Sequence, residues 1–311
     1  MSILSRKEFH DEQAAYDYVE ARVWPHGATC PKCGERDRVS RMGGKSTRIG
    51  VYKCYQCRKP FTVKIGTIFE ASHVPMNLWL QAIYLMCASK KGISSNQLHR
   101  TLGVTLKTAW FMSHRIREAM RDDTLGGFGA GGGVVEADET FIGKDPDKPK
   151  SKTARGWAHK MKVLSLVDRE TGRAKSIVVD DLTKKTVVGI LRENIAREAT
   201  IHTDEAYHYR GIAADFAGHD FVRHSADEYV RGDVHTNTIE GFFSIFKRGM
   251  KGVYQHCGKK HLHRYMAEFD FRYSNRAALE ISDNVRADKA LMGVSGKRLK
   301  YQGPDSFASR A

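Results

Sequence analysis

Two pairs of cysteines near the amino terminus place the strongest constraint on how this chain can fold. Cys30 and Cys33 are separated by two residues, as are Cys54 and Cys57, and 20 residues lie between the pairs. This spacing is typical of a tetrahedral site with four cysteine ligands, in which four thiolates leave no coordination position open. It therefore predicts a structural Zn²⁺ ion that folds a segment too short to form its own core.

Disulfides are the alternative interpretation of these cysteines. The amino-terminal residues carry acids where a secretory signal would need an apolar core, and no run of about 18 apolar residues could span a membrane. These features predict a soluble, cytoplasmic protein without a membrane partner, in which metal binding is favoured over disulfides. Cys87 and Cys257 lie in apolar or helical surroundings that are typical of packing residues.

The charge of the chain indicates the class of its partner. The 51 lysines and arginines outnumber the 36 acids and give a net charge of +15, spread along all 311 residues. A positive field of this size concentrates polyanions, so nucleic acid is the expected partner. A ribosome-associated protein or a merely basic soluble enzyme is the alternative.

Changes in the residue pattern divide the chain into segments. Apolar spacing predicts an amphipathic helix over residues 7–22, and GGFGAGGG at 126–133 has the composition of a flexible linker. The predicted order is an N-terminal helix (1–24), a zinc ribbon (25–65), a three-helix segment (76–122), a glycine linker (123–133), an α/β domain (134–282) and a C-terminal tail (283–311).

The three-helix segment contains the outline of a helix-turn-helix. A break at Gly103 separates two helices, and Thr105 is the expected N-cap of the second. That helix is predicted to pack through its apolar residues and to present its polar residues to a DNA major groove. The residues predicted to be exposed are Lys107, Thr108, His114, Arg115 and Arg117, and those predicted to pack are Ala109, Phe111, Met112 and Ile116. Many three-helix units share this outline without contacting DNA.

Beyond residue 133 the pattern changes to that of strands. Strands are predicted over 134–143, 162–168 and 174–180, followed by a helix over 183–197 and a short strand over 200–203. Two further helices are predicted around 237–249 and 260–280. This order predicts an α/β domain built on a mixed sheet.

Three acids stand at positions where a metal site could form. Asp138 lies in the first strand, where alternation places Glu136 on the same face and Glu139 on the opposite face. Asp204 follows the strand 200–203 at the carboxyl edge of the sheet, where ligand-binding groups gather. Glu240 lies on the helix 237–249, seven residues before Lys247 and therefore on the same face.

A set of three carboxylates can hold two Mg²⁺ or Mn²⁺ ions for phosphoryl transfer without a protein nucleophile. The alternative is that Asp138 is a strand-edge acid, Asp204 a turn residue and Glu240 a solvated helix acid. Their occurrence together in a basic chain with predicted DNA-binding modules favours the catalytic interpretation.

Several motifs resemble the DDE transposases of bacterial insertion sequences, specifically the branch with an N-terminal zinc ribbon. They are ATCPKCG and YKCYQCRKPF, VEADETFIGK, HTDEAYHY, and the long C-terminal run that begins HTNTIEGFFSIFKRG. The resemblance covers residues 20–280. It implies a ribonuclease H-like catalytic domain with flanking helices, and double-stranded DNA as the partner of a nucleoid-associated protein with no small-molecule substrate.

The resemblance also implies roles for individual residues. The catalytic acids fall on Asp138, Asp204 and Glu240, with 35 residues between the second and third, and Asn237 competes with Glu240 for the third role. DNA contacts near the active site are implied for Lys247, Arg248, Lys162 and the basic loop 144–160.

The expected function is that of a transposase which binds terminal inverted repeats, hydrolyses strand ends and joins the 3′-hydroxyls to target DNA. Because two ends must be held together, a homo-oligomer is expected. The alternatives are a transcription regulator with a non-catalytic domain, which the complete acid set disfavours, and a structure-specific nuclease that cuts without joining.

Overall fold

The computed structural model describes residues 2–148 and 157–299, which form two compact units. The first unit contains the chain up to Ser89, Ile93–Met120, and the residues from Ser282 onward. The second contains Lys90–Gly92 and Arg121–Ile281.

The first unit begins with a helix and a small sheet. Helix α1, Glu12–Val23, starts at Asp11, whose carboxylate accepts a hydrogen bond from the Ala14 amide at 2.7 Å. Strands β1, Val39–Arg41, β2, Tyr52–Cys54, and β3, Pro60–Phe61, form an antiparallel sheet in that order. The rings of Trp24, Tyr52 and Phe61 pack against one another beside the buried Cys30 and Cys54.

The predicted helix-turn-helix outline is present in the helices of this unit. Helix α2, Met76–Ala88, precedes α3, Ser95–Leu102, and α4, Leu106–Met120. Gly103 ends α3 in the left-handed region at φ 67°, a conformation that glycine adopts without strain. The Thr105 hydroxyl accepts a hydrogen bond from the Thr108 amide at 3.1 Å and caps α4 as predicted.

The first residues of the predicted C-terminal tail form a helix. Asp283–Met292 forms helix α8, where Ala290 and Leu291 are buried. Arg286 donates to the carbonyl of Cys87 at 2.8 Å, and Asp288 accepts from Arg22 at 2.6 Å. These long-range partners, which sequence spacing does not reveal, hold α8 in the first unit.

A five-stranded sheet forms the centre of the second unit. Its strands are β4, Val134–Ile142, β5, Met161–Asp168, β6, Ala174–Val179, β7, Thr200–Thr203, and β8, Gly218–Phe221. They lie in the order β6-β5-β4-β7-β8, with antiparallel pairs among the first three and parallel pairs among the last three. The predicted α/β mixed sheet is confirmed. Strand β8 was missed because Gly-His-Asp-Phe shows no apolar alternation.

Helices cover both faces of this sheet, as the resemblance to a ribonuclease H-like domain implied. Helix α5, Lys184–Asn194, packs with Leu164 and Leu166 on one face. Helices α6, Asn237–Gly249, and α7, Lys259–Ser274, pack with Val163 and Val167 on the other. A short hairpin of β9, Val230–Arg231, and β10, Val234–His235, precedes α6.

The glycine-rich residues expected to form a flexible linker are held against this sheet. Phe128 is fully buried in the core with α5, and its backbone bonds with Asn194 and Ala196. The Gly129 amide donates to the Asp168 carboxylate at 2.9 Å. A single phenylalanine among glycines anchors the segment, which composition alone does not indicate. In the part of the chain that the structure describes, no helix has both the length and the apolar character needed to cross a bilayer.

Two glycines of this segment allow a test of its packing. Gly129 and Gly131 both have positive φ, but only at Gly129 would a Cβ atom lie within 3 Å of side chains, those of Ala199 and Val135. We expect Gly129→Ala to lower the free energy of unfolding by about 1–3 kcal/mol more than Gly131→Ala, because both incur the left-handed strain and only one overpacks the core. Chemical denaturation followed by circular dichroism measures the difference, and equal losses would contradict the packing.

Candidate metal centres and nucleic-acid contacts

Four cysteine sulfurs meet in the first unit. The Sγ atoms of Cys30 and Cys57 are 3.7 Å apart, those of Cys33 and Cys54 are 3.6 Å apart, and ligand atoms of all four lie within 4.8 Å of one another. Disulfide sulfurs would lie about 2.05 Å apart. Tetrahedral coordination with Zn–S bonds of about 2.3 Å separates sulfurs by about 3.8 Å, so the predicted ligand set fits a Zn²⁺ ion.

Two carboxylates meet where the parallel strands β4 and β7 end their pairing. Glu136 pairs with His202 in this ladder, so the same register places Asp138 beside Asp204, the first residue after β7. An oxygen of each carboxylate lies within 4.8 Å of the other. The sequence predicted this convergence at the carboxyl edge of the sheet.

Glu139 joins the same group, although alternation assigned it to the opposite face of β4. Its carboxylate has an oxygen within 4.8 Å of those of Asp138 and Asp204. It accepts hydrogen bonds from the Tyr209 hydroxyl at 2.9 Å and from His208 Nε2 at 3.2 Å. Because β7 stops at Thr203, side chains from both faces of β4 can reach the gap that follows.

Glu240 lies in the first turn of α6 and is exposed, outside the group of three. The Thr236 hydroxyl donates to its carboxylate at 2.9 Å, and His224 Nε2 lies 4.0 Å away. Its charge nevertheless contributes to the raised pKa of Asp138. Asn237, the predicted alternative, is exposed at the first position of α6.

Glu136 links the strand that carries Asp138 to the helix that carries Glu240. Its fully buried carboxylate accepts hydrogen bonds from Arg169 Nε at 2.6 Å and from the Ile239 amide at 2.8 Å. Arg169 also donates to the carbonyl oxygens of Asp233 and His235. A buried carboxylate with these partners anchors the amino terminus of α6 to the sheet. Sequence reasoning placed Glu136 beside Asp138 but did not reveal this role.

Crowding of the carboxylates changes their acidity. Burial raises the pKa of Asp138 well above its usual value of 3.8, and the nearby Glu139 and Asp204 carboxylates raise it further. Burial also raises the pKa of Asp204, against the opposing hydrogen bond from the Ala206 amide. Without a cation the ionised groups repel one another, and a divalent cation with a preference for oxygen ligands would offset that repulsion.

The helix-turn-helix exposes fewer of its basic residues than predicted. Lys107 is exposed and Thr108 is half-buried. The expectation that His114, Arg115 and Arg117 are exposed is wrong, since all three are buried. Arg115 donates to the carbonyl oxygens of Ile68 and Glu70 at 2.7 and 2.9 Å. The polar side chains on this part of α4 therefore pack inside the first unit instead of facing solvent.

The basic residues predicted near the carboxylates differ in accessibility. Lys247 and Arg248 are exposed on α6, and Lys247 lines a cavity together with Glu139. Lys162 is half-buried, which lowers its pKa, and its ammonium group donates to two nearby carbonyl oxygens at 3.2 and 3.3 Å. Of the predicted DNA-contacting loop 144–160, residues 149–156 lie outside the described residues.

Known families match both the segment that holds the four cysteines and the segment that holds the carboxylate group. Residues 130–274 match the family model described as ISXO2-like transposase domain, and residues 10–60 match the one described as transposase zinc-ribbon domain. The chain therefore carries a transposase zinc-ribbon domain followed by an ISXO2-like transposase domain, the arrangement of an insertion-sequence transposase. This transposase family supports DNA as the partner of the chain, and the carboxylate group fits the DDE class.

Two further comparisons show how far this likeness extends. An uncharacterized protein in transposable element ISH50 of Halobacterium salinarum is 29% identical over 283 residues, which cover 86% of this chain and 92% of that protein. The crystal structure of the Mos1 strand transfer complex matches with 12% identity over 63% of this chain and 76% of the other, at a TM-score of 0.22.

Loss of one cysteine ligand tests the metal centre of the ribbon. We expect Cys33→Ser to lower bound zinc from about one ion per chain to a small fraction, because three thiolates hold Zn²⁺ less tightly than four. Hydrogen exchange over residues 30–61 should accelerate in the same variant. Cys257→Ser, outside the cluster, is the matched control, and metal analysis that finds full zinc in Cys33→Ser would contradict the assignment.

Replacement of Asp138 tests the cost of ionising a carboxyl group that is buried and lies beside other carboxylates. The pKa of Asp138 is higher in the folded than in the unfolded protein, so its ionisation lowers the free energy of unfolding as pH rises above 3.8. We expect Asp138→Asn to be more stable than the wild type at pH 7 without divalent metal. Each unit of pKa difference corresponds to about 1.4 kcal/mol.

Denaturation between pH 4 and 8, without added divalent metal, measures this effect, and the difference between the two proteins should grow with pH. The exposed Asp220→Asn is the control, with an expected change within about 0.5 kcal/mol. A less stable Asp138→Asn protein at pH 7 would show that the charge is not destabilising.

Proposed function

We propose that this chain cleaves the ends of a mobile DNA element and joins them to target DNA, with divalent metals held by Asp138, Asp204 and a third carboxylate. The observation that carries the proposal is the convergence of Asp138, Glu139 and Asp204 at the carboxyl end of the paired strands β4 and β7. Oxygen ligands at this spacing suit Mg²⁺ or Mn²⁺. Two such ions, when bound, activate an attacking oxygen and stabilise a leaving oxygen of a phosphodiester.

The third carboxylate is assigned to Glu240 rather than to Glu139. Glu139 is engaged by Tyr209 and His208, whereas Glu240 is exposed on α6 and held by one hydroxyl. Glu136 fixes the start of α6 and so determines where Glu240 approaches Asp138. In this assignment Glu139 is not a metal ligand, and it contributes negative charge and hydrogen bonds beside Asp138 and Asp204.

DNA contacts are proposed for the accessible basic residues of both units. Lys107 and Thr108 at the start of α4 would contact the terminal inverted repeats; Lys107 is exposed and the Thr108 hydroxyl side chain is half-buried. Lys247 and Arg248 would contact phosphates near the carboxylates, with Lys162 in a lesser role because it is half-buried. His114 and Arg115 are not among the proposed DNA contacts, because both side chains are buried. Because two ends must be held together, a dimer or larger assembly on DNA is part of the proposal.

The test is a strand-transfer assay with Mg²⁺ on a fragment that carries the flanking inverted repeats. We expect Asp204→Ala to reduce cleavage and joining by more than about 100-fold, since loss of even an indirect partner of a metal ligand costs about 10- to 100-fold. Glu240→Gln should cause a loss of the same order and Glu139→Gln a smaller one. Asp220→Asn, an exposed acid outside the cluster, should retain activity.

Each other outcome identifies a different function. Specific DNA binding without cutting or joining, with either Mg²⁺ or Mn²⁺, would indicate a regulator. Cutting without joining would indicate a nuclease. A larger loss in Glu139→Gln than in Glu240→Gln would assign the third ligand to Glu139.

A further inference from the structure

A cavity lies beside the carboxylate group and differs from it in chemistry. It has a volume of about 470 Å³ and lies between the end of β4 and the π-helical turn Met250–Tyr254 that follows α6. This volume is within the range of about 300–1,000 Å³ that is usual for small-molecule sites. Glu139 borders the cavity and also belongs to the carboxylate group, so the two spaces adjoin.

An exposed aromatic ring forms one wall of this cavity. Trp157 is 56% exposed, although tryptophan is mostly buried in folded proteins. Phe141 stacks beside the indole, with ring centroids 6.0 Å apart and planes inclined by 19°, and Lys160 Nζ lies 4.0 Å from the indole centroid. A supported aromatic ring with a flexible ammonium group over its face is a surface on which a nucleobase stacks once that ammonium group moves to the phosphate.

Lysines surround the same space. Lys247 and Lys251, both exposed and one helical turn apart in the chain, line the cavity together with Lys160. Three lysines that line one cavity together with an exposed aromatic ring complement a ligand that combines a flat ring with a phosphate. In a chain of net charge +15, a DNA strand is the ligand that meets both requirements.

We propose that this cavity binds one unpaired nucleotide of the DNA strand that enters the carboxylate group, with the base on Trp157 and a phosphate among Lys160, Lys247 and Lys251. The inference rests on the proposed function, since it takes the ligand to be the strand processed at Asp138 and Asp204. A paired base inside a duplex is covered by its stacked neighbours and cannot present a face to the indole. The strand is therefore unpaired at this nucleotide, and binding of the nucleotide positions the adjoining phosphate for reaction.

The experiment measures binding without catalysis. Two duplexes of equal length and end label are compared, one fully paired and one with a single unpaired 2-aminopurine. Affinities for the full-length, zinc-loaded protein are measured by fluorescence anisotropy without added Mg²⁺ or Mn²⁺. Because both probes attract the basic protein through their phosphates, the ratio of the two affinities isolates recognition of the unpaired base.

We expect the wild type to prefer the probe with the unpaired base by about fivefold or more, and to quench its 2-aminopurine emission. Trp157→Ala should remove the preference and the quenching, whereas Trp157→Phe should retain most of both because a ring remains. Lys160→Gln should weaken the preference in part. Tyr207→Ala is the matched control, since Tyr207 is also an exposed ring near a cation, Arg210, and does not line the cavity.

Equal affinity of the wild type for the two probes would overturn the proposal. A preference that survives Trp157→Ala, or that Tyr207→Ala removes as fully, would also overturn it. Failure here is distinct from failure of the proposed function, because these affinities need no cleavage, whereas the effect of Asp204→Ala on strand transfer does not depend on Trp157.

Discussion

The arrangement of the second unit depends on the buried carboxylate of Glu136. A fully buried charge is costly unless it is paired and hydrogen-bonded, and Glu136 meets both conditions through Arg169 and the amide of Ile239. These contacts join the central strand, the end of β5 and the start of α6. The distance between Asp138 on the strand and Glu240 on the helix is therefore set by an interaction that neither residue makes.

The carboxylate group shows the conflict between stability and function that is common at metal sites. Burial and like charges raise the pKa values of Asp138 and Asp204, so the ionised site opposes folding until a cation is bound. The sheet tolerates this because β4 lies between two strands and is held by packing on both faces. The same crowding is what would concentrate a divalent cation beside a phosphodiester.

Much of the architecture could be predicted from local pattern. Cysteine spacing identified four sulfurs that meet, and the positions of Asp138 within a strand and Asp204 directly after another predicted two acids that converge. Glycine and threonine at positions 103 and 105 predicted the break between α3 and α4. These features depend on spacing along one or two elements, which the chain itself encodes. Strand β8, the anchoring of Phe128 and helix α8 could not be predicted, because partners distant in the chain hold them in place.

The division between sequence and tertiary structure is clearest among the charged residues. The sequence by itself determined which residue types are available for metal and DNA chemistry and where strands and helices present them. Only the tertiary structure decided that Arg115 is buried against Ile68 and Glu70, that Glu139 reaches the gap beyond β7, and that Trp157 remains exposed beside Lys160. The physical reason is that the accessibility of a side chain depends on which surfaces pack against it, and those surfaces come from parts of the chain that local periodicity does not connect.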